Sequence, residues 1–269
     1  IHYVPTLEEE LEKYKSVTLD DTVSIYQDLM NGVHGEVVIV GDFETSAVMP
    51  SLETLVENWE SEAAFARIPE AAQVDLPGRE VTIETPDKAN AVYLAGLNLA
   101  IKDGDADFAP LVMANFILGG GSLASRLGDR VRQQEGLSYG IRSGFSAHPI
   151  DDRGRLTISA ITNPNNQTKL EKAISEELNR WIEEGITEEE LKRAQQGYLQ
   201  GQQLQRSNDR VLTGLIGSTL FAGRTLDYYA DLEKAIGRLY PEAVNETVRK
   251  RISSNKLIQV FAGDVGAKE

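Results

Sequence analysis

The sequence predicts an α+β fold, an antiparallel sheet with helices packed on one face, preceded by the tail of a related domain. Three observations lead there. Short apolar strand patterns bracket blocks of helical pattern rather than alternating with them one for one, which places the helices on an antiparallel sheet. A helix–strand unit occurs twice at one constant offset. The composition, 41% hydrophobic and 26% charged over 269 residues, is that of a globular chain long enough to bury a core.

The repeat organises the chain. Thr18-Leu19-Asp20-Asp21-Thr22-Val23 opens a short helix leading to Val38-Ile39-Val40-Gly41-Asp42. Tyr240-Pro241-Glu242-Ala243-Val244 opens another, leading to Val260-Phe261-Ala262-Gly263-Asp264, with Thr18 matching Tyr240 and Gly41 matching Gly263. Each copy is a helix, a loop, an apolar strand and a Gly-Asp stop, a unit that must pack against more chain. The second copy has a full domain before it, the first only a few residues. The expectation is therefore that residues 1–72 hold the C-terminal remnant of a preceding domain plus a linker, and 73–269 a second, complete domain. Ser46 to Trp59 reads as a helix, and Ala63 to Gly78, with Pro69 and Pro77, as the linker.

From Arg79 the elements come in blocks. Val81-Thr82-Ile83 and Ala91 to Leu99 carry strand patterns separated by a turn around Pro86-Asp87-Lys88. Asp107 to Leu118 is a helical stretch closed by three glycines, and a second runs from Leu123 to about Gln134. Leu137 to Ala147 and Arg155 to Ile161 read as two further strands joined through Pro149 to Gly154. Leu170, Ile174, Leu178 and Trp181 then form one apolar helical stripe ended by Gly185. Thr187 with Glu190 makes a capping box for the next helix. Val211, Leu212, Leu215, Ile216 and Leu220 predict another buried face, stopped by Gly223.

Charge and composition exclude several classes. A net charge of −15 argues against nucleic acid, whose phosphates need clustered Lys and Arg. It suits solubility and attraction of basic peptides. No apolar run approaches the ~20 residues of a membrane span. The absence of Cys rules out disulfides, thiolate chemistry and Cys-based zinc sites, and leaves the compartment open. Ile1-His2-Tyr3-Val4-Pro5 shows no basic-then-apolar signal segment, and without an initiator Met the chain reads as processed or excised.

The densest unusual stretch is Gly119-Gly120-Gly121-Ser122, then Ser125-Arg126-Leu127, then Arg132-Gln133-Gln134-Glu135-Gly136-Leu137-Ser138-Tyr139-Gly140. Three glycines let the backbone turn sharply and approach another chain closely. Neither a G-K-[ST] nor a G-x-G-x-x-G is present, so this is no nucleotide loop. Arg132 falls at a helix end and Tyr139 just inside the following strand. A turn between them can bring a guanidinium and a phenol to one edge of the sheet, as donors for a peptide carbonyl or its oxyanion. For the pair unaided, a surface Arg and a half-buried strand Tyr is the simpler reading.

In order and spacing, four pieces resemble the second-domain signature of the M16 (pitrilysin/insulinase-like) zinc metallopeptidases. They are Thr85-Pro86-Asp87-Lys88-Ala89-Asn90-Ala91, Leu118 to Ser122, Ser125-Arg126-Leu127 and Gly136-Leu137-Ser138-Tyr139-Gly140. The later helices and Ala262-Gly263-Asp264 also follow the family order, so the resemblance covers nearly the whole chain. It implies a metallopeptidase fold like that of mitochondrial processing peptidase, within a clamshell of two halves, and identifies this chain with the half lacking the zinc motif. It assigns Arg132 and Tyr139, seven positions apart, to substrate binding and polarisation of the scissile carbonyl, and Gly119, Gly120, Gly121 and Ser122 to substrate recognition. The implied partners are a peptide substrate and an N-terminal zinc-bearing half, on the same protein or a partner subunit. The implied cofactor is zinc in the complete enzyme, with none in this chain.

The departures matter equally. Only His2, His34 and His148 are present, and none stands in His-x-x-Glu-His. Zinc needs about three protein ligands and an open position, so no catalytic zinc is expected here, and the chain alone is expected to be inactive. Asp103, Asp105 and Asp107 resemble an EF-hand start, but Phe108 and Ala114 stand where the Gly and closing Glu belong, leaving an acidic turn expected to cap the next helix. The competing class is a non-catalytic scaffold or partner, like the core subunits of respiratory complexes. The presence of both Arg132 and Tyr139 favours the peptidase half.

Overall fold

A computed structural model describes residues 3, 5–30, 34–57, 59, 63–86, 88–121 and 124–266. The chain divides into two compact units, residues 1–68 and 69–269.

Among the described residues the first unit carries three helices, α1 (Leu7–Ser16), α2 (Leu19–Leu29) and α3 (Thr45–Val56). Thr6 with Glu9 and Thr18 with Asp21 form capping boxes that satisfy the free N–H groups opening α1 and α2. None of the three helices has a buried residue. Leu7, Leu19 and Leu29 are each more than 60% exposed, so the amphipathic faces gain little from burial within the unit. The expected strand at Val37 to Val40 is not formed: it joins no ladder among the described residues. A lone strand leaves its N–H and C=O groups without partners, and a ladder needs a neighbour that the described residues of this unit do not supply. The repeat therefore holds for its helices only. The second copy's helix spans Pro241–Arg251, at the same offset and length as α2.

The second unit is built on a five-stranded sheet of order β1-β5-β2-β4-β3. The strands are β1 (Arg79–Glu84), β2 (Ala91–Leu99), β3 (Ser138–Ala147), β4 (Gly154–Thr162) and β5 (Ile258–Gly263). The sheet is not wholly antiparallel as expected, since β1 pairs parallel with β5. The whole helical layer lies between those two strands in sequence, and such a long crossover permits a parallel pair. The remaining pairs, β2–β5, β2–β4 and β3–β4, are antiparallel.

Alternation on the strands fixes two faces. Ala91, Tyr93, Ala95, Leu97 and Leu99 of β2 are buried, as are Leu156, Ile158 and Ala160 of β4, facing the helices. Packed there are α4 (Phe108–Asn115), α5 (Gln167–Glu183) and α9 (Pro241–Arg251), with α6 (Glu188–Arg206), α7 (Asp209–Phe221) and α8 (Asp227–Gly237) behind. The α5 stripe buries Leu170, Ile174, Leu178 and Trp181, each contributing about 1.5–3 kcal/mol of apolar transfer. Gly185 ends this helix region at φ 78°, the left-handed geometry glycine adopts without strain. The face predicted on α7 is only partly covered: Thr219 alone is buried and Leu220 is 47% exposed. That helix packs mainly on α6 at the rim of the layer.

The opposite sheet face is read from the register. One row across it runs Ile83, Ala262, Val92 and Ile161, and the next Val81, Val260, Leu94 and Ser159. Towards β3 the same rows end at Gly140 and Arg142. The face is thus aliphatic over β1, β5 and β2, and polar with glycines at the β3 edge. No helix among the described residues is long and apolar enough to cross a membrane.

Candidate functional site

After α4 the chain widens into π turns at Phe116–Gly120, and again at Gly128–Gln134. The second stretch carries Arg132. It closes through Leu137 N–H donating to the Val131 carbonyl at 2.9 Å, with Gly136 at φ 63° making the reversal. β3 then starts with a bulge between Ser138 and Gly140 that puts Tyr139 out of register. A bulge adds one residue against its partner strand and re-aims a side chain. The Ser138 hydroxyl holds it, bonding the Gly140 carbonyl at 3.0 Å and the Ile161 carbonyl at 2.7 Å, and accepting from Gly140 N–H at 3.2 Å. Beside it the Thr162 hydroxyl donates to the Leu137 carbonyl at 2.5 Å.

The result is a phenol 85% exposed, with the Arg132 guanidinium carbon 4.6 Å from its ring centroid. This is cation–π distance, which fixes both groups relative to one another. Neither side chain forms a hydrogen bond or ion pair within the protein among the described residues. A fork of guanidinium N–H groups and one phenolic O–H are therefore free to donate at one point on the sheet's end. The structure brings Arg132 and Tyr139 into contact, with the tyrosine exposed rather than half-buried.

The glycine turn has a packing logic of its own. Gly119 is buried, and a Cβ there would stand 2.5 Å from the Ser143 backbone nitrogen of β3. At Gly121 a Cβ would meet the Phe116 carbonyl oxygen at 2.8 Å, the same oxygen that accepts the Gly121 N–H at 2.7 Å. Gly120 faces outward, next to Asn115. Ser122 lies outside the described residues. A cavity of about 620 Å³ borders Gly121, Arg126 and Glu190, but Arg132 and Tyr139 do not line it.

Sequence reasoning missed the polar network behind this turn. Arg126 clasps Glu190 through two bonds of 2.7 and 2.9 Å and donates to the Gly185 carbonyl at 2.7 Å. Its third nitrogen stands 3.9 Å from Glu177, which is 3% exposed and bonded to Arg180 at 2.5 Å. Burial alone would raise the Glu190 pKa, but the Arg126 and Thr187 hydrogen bonds outweigh it and hold the carboxyl at about 2. Ser125-Arg126-Leu127 was the visible signal, without its partners. The acidic turn is likewise spoken for. Asp103 pairs bidentately with Arg224, Asp107 with Lys250 and Arg251, and Asp105 accepts the Lys102 N–H. It anchors α9 and the turn that follows α7, and, against expectation, does not cap α4 through a side chain.

The described residues do not fit a zinc ion: no three His, Cys, Asp or Glu side chains cluster among them. His34 lies 4.7 Å from Phe65. His148 Nδ1 accepts the N–H groups of Ile150 and Asp151. His2 lies outside the described residues.

With fold and site in view, the comparisons define the class. The family described as peptidase M16 inactive domain matches residues 16–198, and the chain belongs to it. The non-peptidase homolog YmxG of Helicobacter pylori is 25% identical over 248 residues, 91% of this chain and 56% of that protein. An uncharacterized zinc protease YmxG of Bacillus subtilis is 37% identical over 86 residues, 32% of this chain and 20% of its own length. The crystal structure of a peptidase M16 inactive domain from Pseudomonas fluorescens superposes with TM-score 0.77 at 26% identity, covering 94% of this chain and 60% of that one. A protease from Helicobacter pylori gives 0.70 at 17% identity, covering 83% and 53%, and shows the shared fold. The chain spans little more than half the length of the longer-matching relatives.

Proposed function

We propose that this chain is the non-zinc half of an M16-type metalloendopeptidase, supplying substrate binding and carbonyl polarisation to a zinc site on another segment or subunit. On this reading residues 1–72 are the remnant of a preceding M16-type domain plus linker, and 73–269 the substrate-contacting domain. The observation that carries it is the unspent donor pair, Arg132 against an exposed Tyr139. Their N–H and O–H groups donate to the scissile carbonyl oxygen and hold the negative charge that develops there. Arg132 also anchors the unreacted peptide, whereas Tyr139 acts mainly as charge builds. The exposed Gly120 and its neighbour Gly121 present backbone to the peptide, with Gly119 acting through packing.

The test is kinetic, in the complete zinc-bearing enzyme. Tyr139→Phe removes one oxyanion donor and is expected to lower kcat/KM by ~10²–10³ with folding intact. Arg132→Ala is expected to raise KM as well. An unchanged kcat/KM in Tyr139→Phe removes Tyr139 from the mechanism. A second reading, a non-catalytic scaffold, is favoured by the non-peptidase designation of the Helicobacter pylori relative. It predicts that the complete assembly hydrolyses no peptide at all.

A further inference from the structure

Residues 73–76 run across the open face of the sheet in the second unit and leave a slot of about 290 Å³ beneath them. Gln73, Val74 and Leu76 form one wall, and Leu94, Ile258 and Val260 supply an aliphatic floor. The strap is tied at two points. Asn98 Nδ2 donates to the Gln73 carbonyl at 3.2 Å, and Lys256 Nζ to the Val74 carbonyl at 3.0 Å. Gly96 opens the floor, and the Arg155 guanidinium lies across it, with Nη2 3.2 Å from where a Cβ would stand.

The charge pattern of this slot is opposite to that of the molecule. In a chain of net charge −15, its charged lining residues are Arg155 and Lys256, and no carboxylate lines it. Lys256 is partly engaged, with Asp75 at 4.0 Å. The Arg155 side chain has no hydrogen bond or ion pair among the described residues. A free guanidinium recognises a carboxylate through two parallel N–H···O bonds. An aliphatic floor beside it selects an apolar group one or two bonds away. The size is at the lower limit for a small-molecule pocket, too small for a folded partner. The Gln73 side-chain amide, also unbonded among the described residues, adds a group that can pair with a peptide unit.

We infer that this slot binds the C-terminal residue of a peptide, its carboxylate on Arg155 and its apolar side chain on Leu94, Ile258 and Val260. The inference goes beyond the Arg132–Tyr139 reading and stands apart from it in space. Thr157 in the slot lies five residues along β4 from Thr162, which is roughly 17 Å of strand. Capture of terminal carboxylates is an established mode of peptide recognition.

The test needs only this chain and a binding readout. N-acetyl-Ala-Leu-Phe with a free carboxylate and the same peptide as its amide are titrated while the amide resonances of Gly96, Thr157 and Val260 are followed. The acid is expected to shift these three and to bind at least tenfold more tightly than the amide. Arg155→Ala, an exposed strand position that leaves the core intact, is expected to abolish that preference without loss of the folded spectrum. Equal affinity for acid and amide, or an unchanged preference in Arg155→Ala, overturns the inference. Decanoate binding more tightly than the peptide acid also overturns it, since the slot would then be a fatty-acid site. None of these outcomes depends on the catalytic reading, which the Tyr139→Phe kinetics test separately.

Discussion

Replacing Gly119 by Ala isolates the close approach that holds the glycine turn on the sheet. The added Cβ would stand 2.5 Å from the Ser143 nitrogen, 2.6 Å from its hydroxyl oxygen and 2.9 Å from its Cβ. Unstrained contacts of this kind lie near 3.5–4.0 Å, so the π turn must withdraw from β3 by about 1 Å. Overpacking of that size costs about 1–3 kcal/mol. The withdrawal also loosens the Ser143 hydroxyl from Asn115, to which it donates at 2.7 Å, at about 1 kcal/mol more. Against this stands a helical gain of up to about 1 kcal/mol for Ala over Gly. The net expectation is a loss of about 1–3 kcal/mol in urea unfolding followed by circular dichroism. Gly214 in α7 supplies the control, because a Cβ there meets nothing within 4 Å. Gly214→Ala is therefore expected to stabilise by roughly 0.5–1 kcal/mol. The two substitutions are chemically identical and differ in sign only through their surroundings. A Gly119→Ala protein as stable as the parent would refute the packing argument.

Arg126→Leu strips the guanidinium from Glu177 and Glu190 and is expected to cost about 3–5 kcal/mol in the same unfolding measurement, with Arg126→Lys less damaging. Glu190 is lowered from an ordinary 4.5 to about 2 in the folded state. Its stabilisation is therefore present above pH 4.5 and lost as the pH falls towards 2. Unfolding curves between those limits should show it in the parent protein and lack it in Glu190→Gln. Ser138→Ala removes the hydroxyl that bonds Gly140 and Ile161. The ring-current shift of the Arg132 side-chain N–H should then shrink while the core resonances stay in place. An unchanged shift would show that the bulge holds without that hydroxyl.

Regular elements were legible because their signals are local. The α5 stripe, the Thr187–Glu190 capping box and the strands β2, β3 and β4 follow from periodicity and turn residues within a few positions. The Arg132–Tyr139 contact was legible for the same reason, since only a tight turn separates the two. What depended on distant partners was not. The Arg126 network joins positions more than fifty residues apart, and a sequence shows the arginine without its carboxylates. The parallel β1–β5 pair spans the whole unit. Val37 to Val40 has an apolar strand pattern, yet strand formation depends on a neighbour and not on the segment itself. α1 is hard to read from periodicity because its apolar positions are sparse among acidic ones, although Thr6 and Glu9 spell a capping box.

Backbone irregularity in the second unit is concentrated around the two free donors. Among the described residues between 116 and 140 the chain makes two π turns, a left-handed glycine and a β-bulge, whereas β2, β4 and α5 are regular. Each departure sacrifices ladder or helix hydrogen bonds, and such features persist where a fold must aim a side chain. Here they act in sequence. The second π turn carries Arg132 to its helix end, Gly136 reverses the chain, and the bulge puts Tyr139 outside the ladder instead of onto a face. A regular strand would have placed residue 139 in register with β4, its ring confined to one sheet surface. The irregular path leaves the phenol 85% exposed and fixed against the guanidinium. On the proposed reading, that is the arrangement required of donors that meet a peptide carbonyl.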